Sequence, residues 1–488
     1  MRVPGIKSPL FWPLVACGLG CYAYLHPFLA VLSLLVLLPL CLFKVHRKDV
    51  LLSILIFGLG WTRMAWEAPS FPSITTPSLH HWECTFHSEL NASCTSPEFQ
   101  WPLLLEIPGA EMHSTEIRGA CWGVLSPFNS FSSFDYAGFK RSQGISGRIK
   151  LLSGIQWENP EARTLHSFLV QWCMKTRSYI ADSLKAHFSE PAEGLLLALT
   201  LGDKANLDSD VRTAFANAGL AHILAVSGYH IGLVGFIPLL FIHHRRRFVQ
   251  CLGGVLFGFI WIYVALCDWP ISALRAATMI TAFVIGKWSD RRPTGFQCWS
   301  IAGWVILMLM PYSITSLGAQ LSFAAVAAIF LFLEHIRTFN SFKRVAGFVG
   351  IPIAAQGGTV AWTCSVFGQF PWTFLPMNLI AAPCMYLLGM AYLFWWCLML
   401  LNDNWRGTSA LADLISYSIN GLANRLATLT KNGDWVWSTE EWNPLLWWMI
   451  GVLYFGWNIT ALRYPHSKLK FAIYALLVLA AVLPWCTL

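Results

Sequence analysis

The sequence predicts a polytopic α-helical membrane protein with a small β domain inserted near its N-terminal end. Three observations predict it. Only 12% of the 488 residues are charged and 56% are hydrophobic, whereas soluble domains carry about 25% charged residues. Apolar runs near the roughly 20 residues needed to cross a bilayer recur along the chain, about 11–12 of them. One polar stretch, 67–155, interrupts the series and carries turn chemistry instead.

Taken in order, 1–66 holds three apolar segments, near 9–25, 27–43 and 50–66. The first follows Arg2 and Lys7 as an export signal would, but Pro9 and Pro13 break its apolar run, so a retained span is expected. The 67–155 stretch has short apolar runs, among them "WECTFHSEL", "WPLLLEI" and "IRGACWGVL", split by Pro, Gly and Ser. That spacing predicts a compact barrel or sandwich. In 156–219, Leu165, Phe168, Leu169, Trp172, Tyr179, Ile180 and Leu184 fall on one helical face, with Gln171, Lys175, Asp182 and Lys185 opposite. Such a helix lies in the membrane interface rather than across it. "LDSDVRTAFANAG" then reads as a short helix with acidic residues in its first turn and Gly219 at its end. Within 220–488, spans are expected near 220–242, 249–267, 271–287, 296–310, 317–333, 346–366, 373–400, 444–461 and 470–486. A second amphipathic stretch lies between Thr408 and Lys431.

The net charge of +8 is a topology signal before it is a binding signal. Basic clusters recur in alternate loops: Lys44, Arg47 and Lys48; Arg245, Arg246 and Arg247; Lys287, Arg291 and Arg292; Arg337, Lys343 and Arg344. The opposite loops, near His26, Asp268, Tyr312 and Gly368, hold no Lys or Arg. The positive-inside rule then places 67–219 outside the cytoplasm, and the many Trp read as interface-belt residues. Of the 14 Cys, three fall in the polar stretch, and an extracytoplasmic setting allows two of Cys84, Cys94 and Cys121 to pair. Cys84 and Cys94 are the candidate disulfide. No metal-ligand spacing occurs among these residues, and no metal or cofactor is expected.

Chemistry enters with "GLAHILAVSGYHIGLVGF", a predicted span holding His222, Ser227 and His230. Ionisable groups inside a span are costly and usually face a cavity. Gly228, Gly232 and Gly235 form a small-residue stripe that would let another helix pack closely. Arg275 in "WPISALRAATM", Gln320 in "LGAQLSFAAV", Gln356 beside Gly357 and Gly358, and Asn378 between Pro376 and Pro383 add polar groups to later spans. A Gly-Gly pair in a span invites a break where backbone lines a cavity. This is the pattern of a transport path rather than of an anchor.

"LGDKANLDSDVRTAFANAGLAHILAVSGYHIGLV" resembles the signature of the ComEC competence family, inner-membrane channels of bacterial DNA uptake. "FDYAGFKRSQGISGRI", "WPISALRAATM", "LGAQLSFAAV", "AAQGGTVAWTCSVFGQFP" and "NLIAAPCM" resemble further family blocks in the family's order. The resemblance implies that 67–155 is an OB-like extracytoplasmic domain and that 220–488 is a channel conducting single-stranded DNA across the inner membrane. His222, Ser227, His230, Arg275, Gln320, Gln356 and Asn378 are then candidate lining groups, and Arg245, Arg246 and Arg247 a basic cytoplasmic mouth. The partners implied are membrane lipid, single-stranded DNA, a DNA receptor outside and an ATP-driven motor inside. Two departures stand out. The HxHxDH metal motif of the nuclease domain found in many family members does not occur, so strand degradation is expected elsewhere. The soluble stretch is acidic in its first part, from Glu83 to Glu116, with a basic end at Lys140, Arg141, Arg148 and Lys150. Two other classes compete: a small-solute permease, and an intramembrane hydrolase using Ser227 with His230 as base.

Overall fold

A computed structural model describes scattered positions between 14 and 62, strands between 78 and 158, most of 165–235 and of 247–439, and scattered positions from 443 to 458. The expected spans of the first 66 residues, the one near 470–486, and Arg245 and Arg246 lie outside the described residues or almost so. The chain divides into two compact units.

The unit containing 6–178 and 238–320 holds the predicted β domain. Its strands are β1 (Ser78–Phe86), β2 (Asn91–Thr95), β3 (Leu103–Glu106), β4 (Arg118–Ser126), β5 (Gly147–Leu151) and β6 (Gln156–Glu158). Pairing runs β1-β2-β3-β5-β4, and β4 pairs back to β1, so five strands close into a ring. β3 and β5 run parallel and the other neighbours antiparallel. β6 takes Arg118–Ala120 of β4 while β5 takes Gly123–Ser126, which carries the domain past Ile155 to Glu158. Period-2 alternation points His80, Trp82 and Cys84 of β1 inward with Leu105, Cys121, Leu125 and Ile149. Cys84 and Cys94 stand directly opposite each other on β1 and β2 and are bonded. Cys121 is free on the same buried side, and burial pushes its thiol up to about 11, which keeps it protonated and unreactive.

The same unit holds α4 (Arg247–Leu266), α5 (Ile271–Trp288) and α6 (Gly295–Leu309), each within about two residues of its expected span. Thr294 and Gln297 form a reciprocal capping box that starts α6. The Arg177 guanidinium donates to the Leu266 carbonyl at 2.6 Å, supplying a partner to the end of α4.

Helix α1 (Leu165–His187) runs from this unit into the other. Its predicted apolar face is split in fate. Phe168, Leu169 and Trp172 stay exposed, whereas Leu184 is fully buried in the second unit's core. That core also takes α2 (Ala192–Leu201), α3 (Ser209–Asn217), α9 (Phe374–Leu401) and α10 (Arg406–Thr430). The second amphipathic stretch is thus α10, whose apolar face (Ala412, Ile415, Ile419, Ala423 and Leu426) is buried in protein. α7 (Leu317–Ile336) and α8 (Lys343–Phe367) precede a two-stranded sheet of β7 (Gln369–Pro371) and β8 (Val436–Ser438). Among the described residues, Leu317–Ile336 and Phe374–Met399 are helices long and apolar enough to cross a membrane.

One expectation fails here. Helix α8 runs unbroken through Gly357 and Gly358. The glycines admit close packing instead: a Cβ at Gly358 would lie 2.5 Å from the Ala328 Cβ, and one at Gly357 2.7 Å from the Tyr454 ring. At Gly232, among the described residues, a Cβ would meet nothing within 4 Å. Gly358→Leu should therefore lower stability by roughly 1–3 kcal/mol through overpacking. Gly232→Ala should be neutral or stabilising by up to about 1 kcal/mol through helix propensity. Thermal melting of the purified protein separates the two. Cys84→Ser should cost roughly 2–3 kcal/mol by freeing the short loop that the disulfide closes, and alkylation without reductant should leave Cys84 and Cys94 unmodified.

Candidate functional site

The site is built where the chain refuses to stay helical. Asp208 caps α3, its Oδ1 accepting the Asp210 N–H at 3.0 Å. The helix ends in a reciprocal left-handed cap. Gly219 (φ +75) donates to the Ala216 carbonyl at 2.9 Å, and Leu220 donates to Phe215 at 2.8 Å. Leu220 and Phe215 are both buried in the core, the apolar contact that accompanies this cap. Gly219 is also required by space: a Cβ there would sit 3.0 Å from the Phe374 backbone and 3.1 Å from Pro371.

Residues 221–225 are turns and a bend, and helix resumes only at Gly228. The span expected at 220–242 thus begins about two turns late, and His222 lies on no helix. Ser227 is the cap of the new helix. Its Oγ accepts the Tyr229 N–H at 3.2 Å, and its carbonyl accepts the Ile231 N–H at 3.3 Å. His230 completes the cap from the other direction: its Nδ1 accepts the Ser227 N–H at 3.1 Å and lies 3.1 Å from the Ser227 Oγ. This is the capping-box arrangement with an imidazole in place of Glu or Gln. Because Nδ1 accepts a backbone N–H, the neutral ring carries its proton on Nε2, which is left as a donor.

His222, Ser227, Tyr229 and His230 line a cavity of about 130 Å³ together with Ile223, and with Asn378 and Met385 from α9. The His222 ring hydrogen-bonds the Gly219 backbone. Asn378 donates its Nδ2 to the Phe374 carbonyl at 2.6 Å, within its own helix. The wall therefore presents two imidazoles, a capped helix start and one amide in an otherwise apolar body. No carboxylate lines it among the described residues. Its volume admits a few waters, each taking about 30 Å³, and is well below the 300 Å³ at which drug-sized ligand sites begin.

The other candidates fall elsewhere. Gln356 does not line the cavity, and its Nε2 is buried without a partner among the described residues. Arg275 and Gln320 belong to the first unit. Arg275 is buried on α5, and Gln320 donates to the Ile314 carbonyl at 2.7 Å, closing the turn before α7. Arg247 opens α4. Sequence reasoning missed Tyr229, which sits inside the quoted stretch, and Met385, which carries no signal among the apolar residues of α9.

Residues 199–464 match the family described as Competence protein. The chain is 29% identical to ComE operon protein 3 of Bacillus subtilis over 259 residues, 51% of this chain and 31% of that protein. It is 28% identical to Recombination protein 2 of Haemophilus influenzae over 156 residues, 30% of this chain and 19% of that protein. It is 27% identical to Competence protein ComA of Neisseria gonorrhoeae over 152 residues, 28% and 21% of the two chains. These alignments each span under a third of the relative's length. No solved structure matches the chain.

If Ser227 and His230 act as a cap, Ser227→Ala should cost about 1 kcal/mol while Ser227→Asp costs little, and His230→Gln should retain what His230→Leu loses. Thermal unfolding of the four variants in lipid nanodiscs measures this. A nucleophilic Ser227 would instead be inactivated equally by Ala and Asp.

Proposed function

This chain belongs to the competence protein family, and from that premise we propose that it forms the membrane path by which single-stranded DNA enters the cytoplasm. The observation that carries this reading is the cavity at the helix restart, mostly apolar in its wall but carrying four polar side chains. A polyanion crossing an apolar layer needs a hydrated wall of donors and acceptors. His222, Ser227, His230 and Asn378 supply one, and all four fall inside the matched region. At about 130 Å³ the cavity describes a closed state. Passage requires α9 and the Ser227 helix to part.

The rest of the reading follows from the same premise. The chain is a multi-pass inner-membrane protein of about 11–12 spans. The five-stranded ring is an OB-like domain outside the cytoplasm, supported by its strand order and by the Cys84–Cys94 bond, which suits an oxidising compartment. Phe168, Leu169 and Trp172, exposed on α1, dip into the membrane interface. Arg245, Arg246 and Arg247 meet the emerging strand. Gln356 joins the lining when the path opens. A receptor delivers DNA outside, and an ATP-driven motor draws it in.

The cavity's small volume favours one rival, a permease for a small solute. The hydrolase reading draws on the Ser227–His230 contact, but the cap already accounts for that contact and, among the described residues, no carboxylate lines the cavity to orient the imidazole.

Deleting the gene should abolish transformation while labelled DNA still accumulates outside the inner membrane, and His230→Leu should impair uptake with the protein still present in the membrane. Normal cytoplasmic entry of labelled DNA in the deletion strain would refute the DNA path and leave the permease.

A further inference from the structure

A second feature lies one helical turn from the cavity. The strands β7 and β8 pair antiparallel, with Phe370 opposite Trp437. Thr439 ties them to α8: its N–H donates to the Gly368 carbonyl at 2.7 Å and its hydroxyl to Cys364 at 2.9 Å. On this support Trp372 and Trp437 stack, with centroids 5.9 Å apart and planes 21° from parallel. Trp447, itself buried, meets Trp437 edge-on at 6.1 Å, and Phe370 meets Trp372 edge-on at 6.3 Å. The inner face of Trp372 is thus held by another indole, while the residue remains 61% exposed. A flat ring is held in orientation with more than half of the residue's surface open.

The platform is continuous with the cavity. Phe370 packs on Phe374 at 5.8 Å, Phe374 is the residue against which Gly219 presses, and Asn378, one turn further along α9, lines the cavity. The loop at Gly368 is one of those without Lys or Arg, so the topology reading places it outside, where a strand would arrive.

We propose that the Trp372–Trp437 stack is an entry platform on which a base of an incoming single strand stacks before the backbone reaches the cavity; this rests on the DNA-path reading above. Every base has a π face, so such a platform accepts any sequence. Charge does not supply the attraction, because the sequence around β8 carries Asp434, Glu440 and Glu441 against Lys431. The contribution is therefore carried by base stacking and is insensitive to salt, unlike phosphate contacts.

The test measures binding of fluorescent oligothymidylate, and of an abasic strand of equal length, to the full chain in nanodiscs by anisotropy. Wild type should prefer oligothymidylate. Trp372→Ala should lose about fivefold or more in affinity for oligothymidylate, matching one lost stack. It should then bind both strands alike, with an unchanged salt slope. Trp372→Phe, which keeps a π face, should retain most of the preference, and Trp372→Leu, which keeps only apolar bulk, should not. Equal binding of the two strands by wild type, or a preference surviving in Trp372→Ala or Trp372→Leu, would overturn the platform while leaving the DNA path intact. In that case Trp372 is a membrane-interface residue, and its substitution shifts lipid partitioning alone. If wild type binds neither strand, the DNA-path reading fails and the platform with it.

Discussion

A helix that begins partway along an apolar stretch leaves its first backbone N–H groups without intrahelical partners, and side chains must supply them. The arrangement around the cavity follows from how the chain meets that demand after Gly219. Ser227 supplies the side-chain acceptor, and His230 returns an acceptor to the Ser227 N–H. Both polar residues are therefore needed locally before any ligand is considered. With Nδ1 engaged by the cap, the Nε2 of His230 is the donor edge of the ring.

The break itself is held from outside the stretch that contains it. Gly219 can turn in the left-handed region only because it lacks a Cβ, and Phe374 and Pro371 fill the space a Cβ would need. Behind them stands the core of α2, α3, α9 and α10, centred on Trp395 with the rings of Phe188, Tyr392 and Trp396 around it. One helix, α9, thus anchors the core at Trp395, walls the cavity at Asn378 and Met385, and supports the aromatic sheet at Phe374. A movement of α9 would change all three together.

Polar residues elsewhere in the apolar helices show why composition alone does not make a site. Thr359 donates to Ala355, Thr363 to Thr359, and Thr278 to Leu274, each within its own helix. These hydroxyls are satisfied without any cavity. The β ring illustrates the same economy at its edges. Pairing β4 back to β1 leaves neither strand as an open edge, and the Cys84–Cys94 bond ties β1 to β2.

Hydropathy and turn chemistry by themselves determined closely where α4 to α9 run, that β structure would fall within the polar stretch of 67–155, and that α3 would end at Gly219. Those features are local: apolar length, period-2 alternation and a left-handed cap are written in neighbouring residues. The family signature was legible for the same reason, as contiguous blocks. Tertiary structure alone showed that the stretch after Gly219 stays non-helical until Gly228, since it reads as apolar enough to span, and that Phe374, 155 residues away in the numbering, and Pro371 press on Gly219. It alone decided that Gly357 and Gly358 admit neighbours rather than break α8. It alone joined Asn378 to His222 and His230, and Trp372 to Trp437. Contacts between distant segments depend on which surfaces meet, and surface complementarity leaves no periodic trace in the chain.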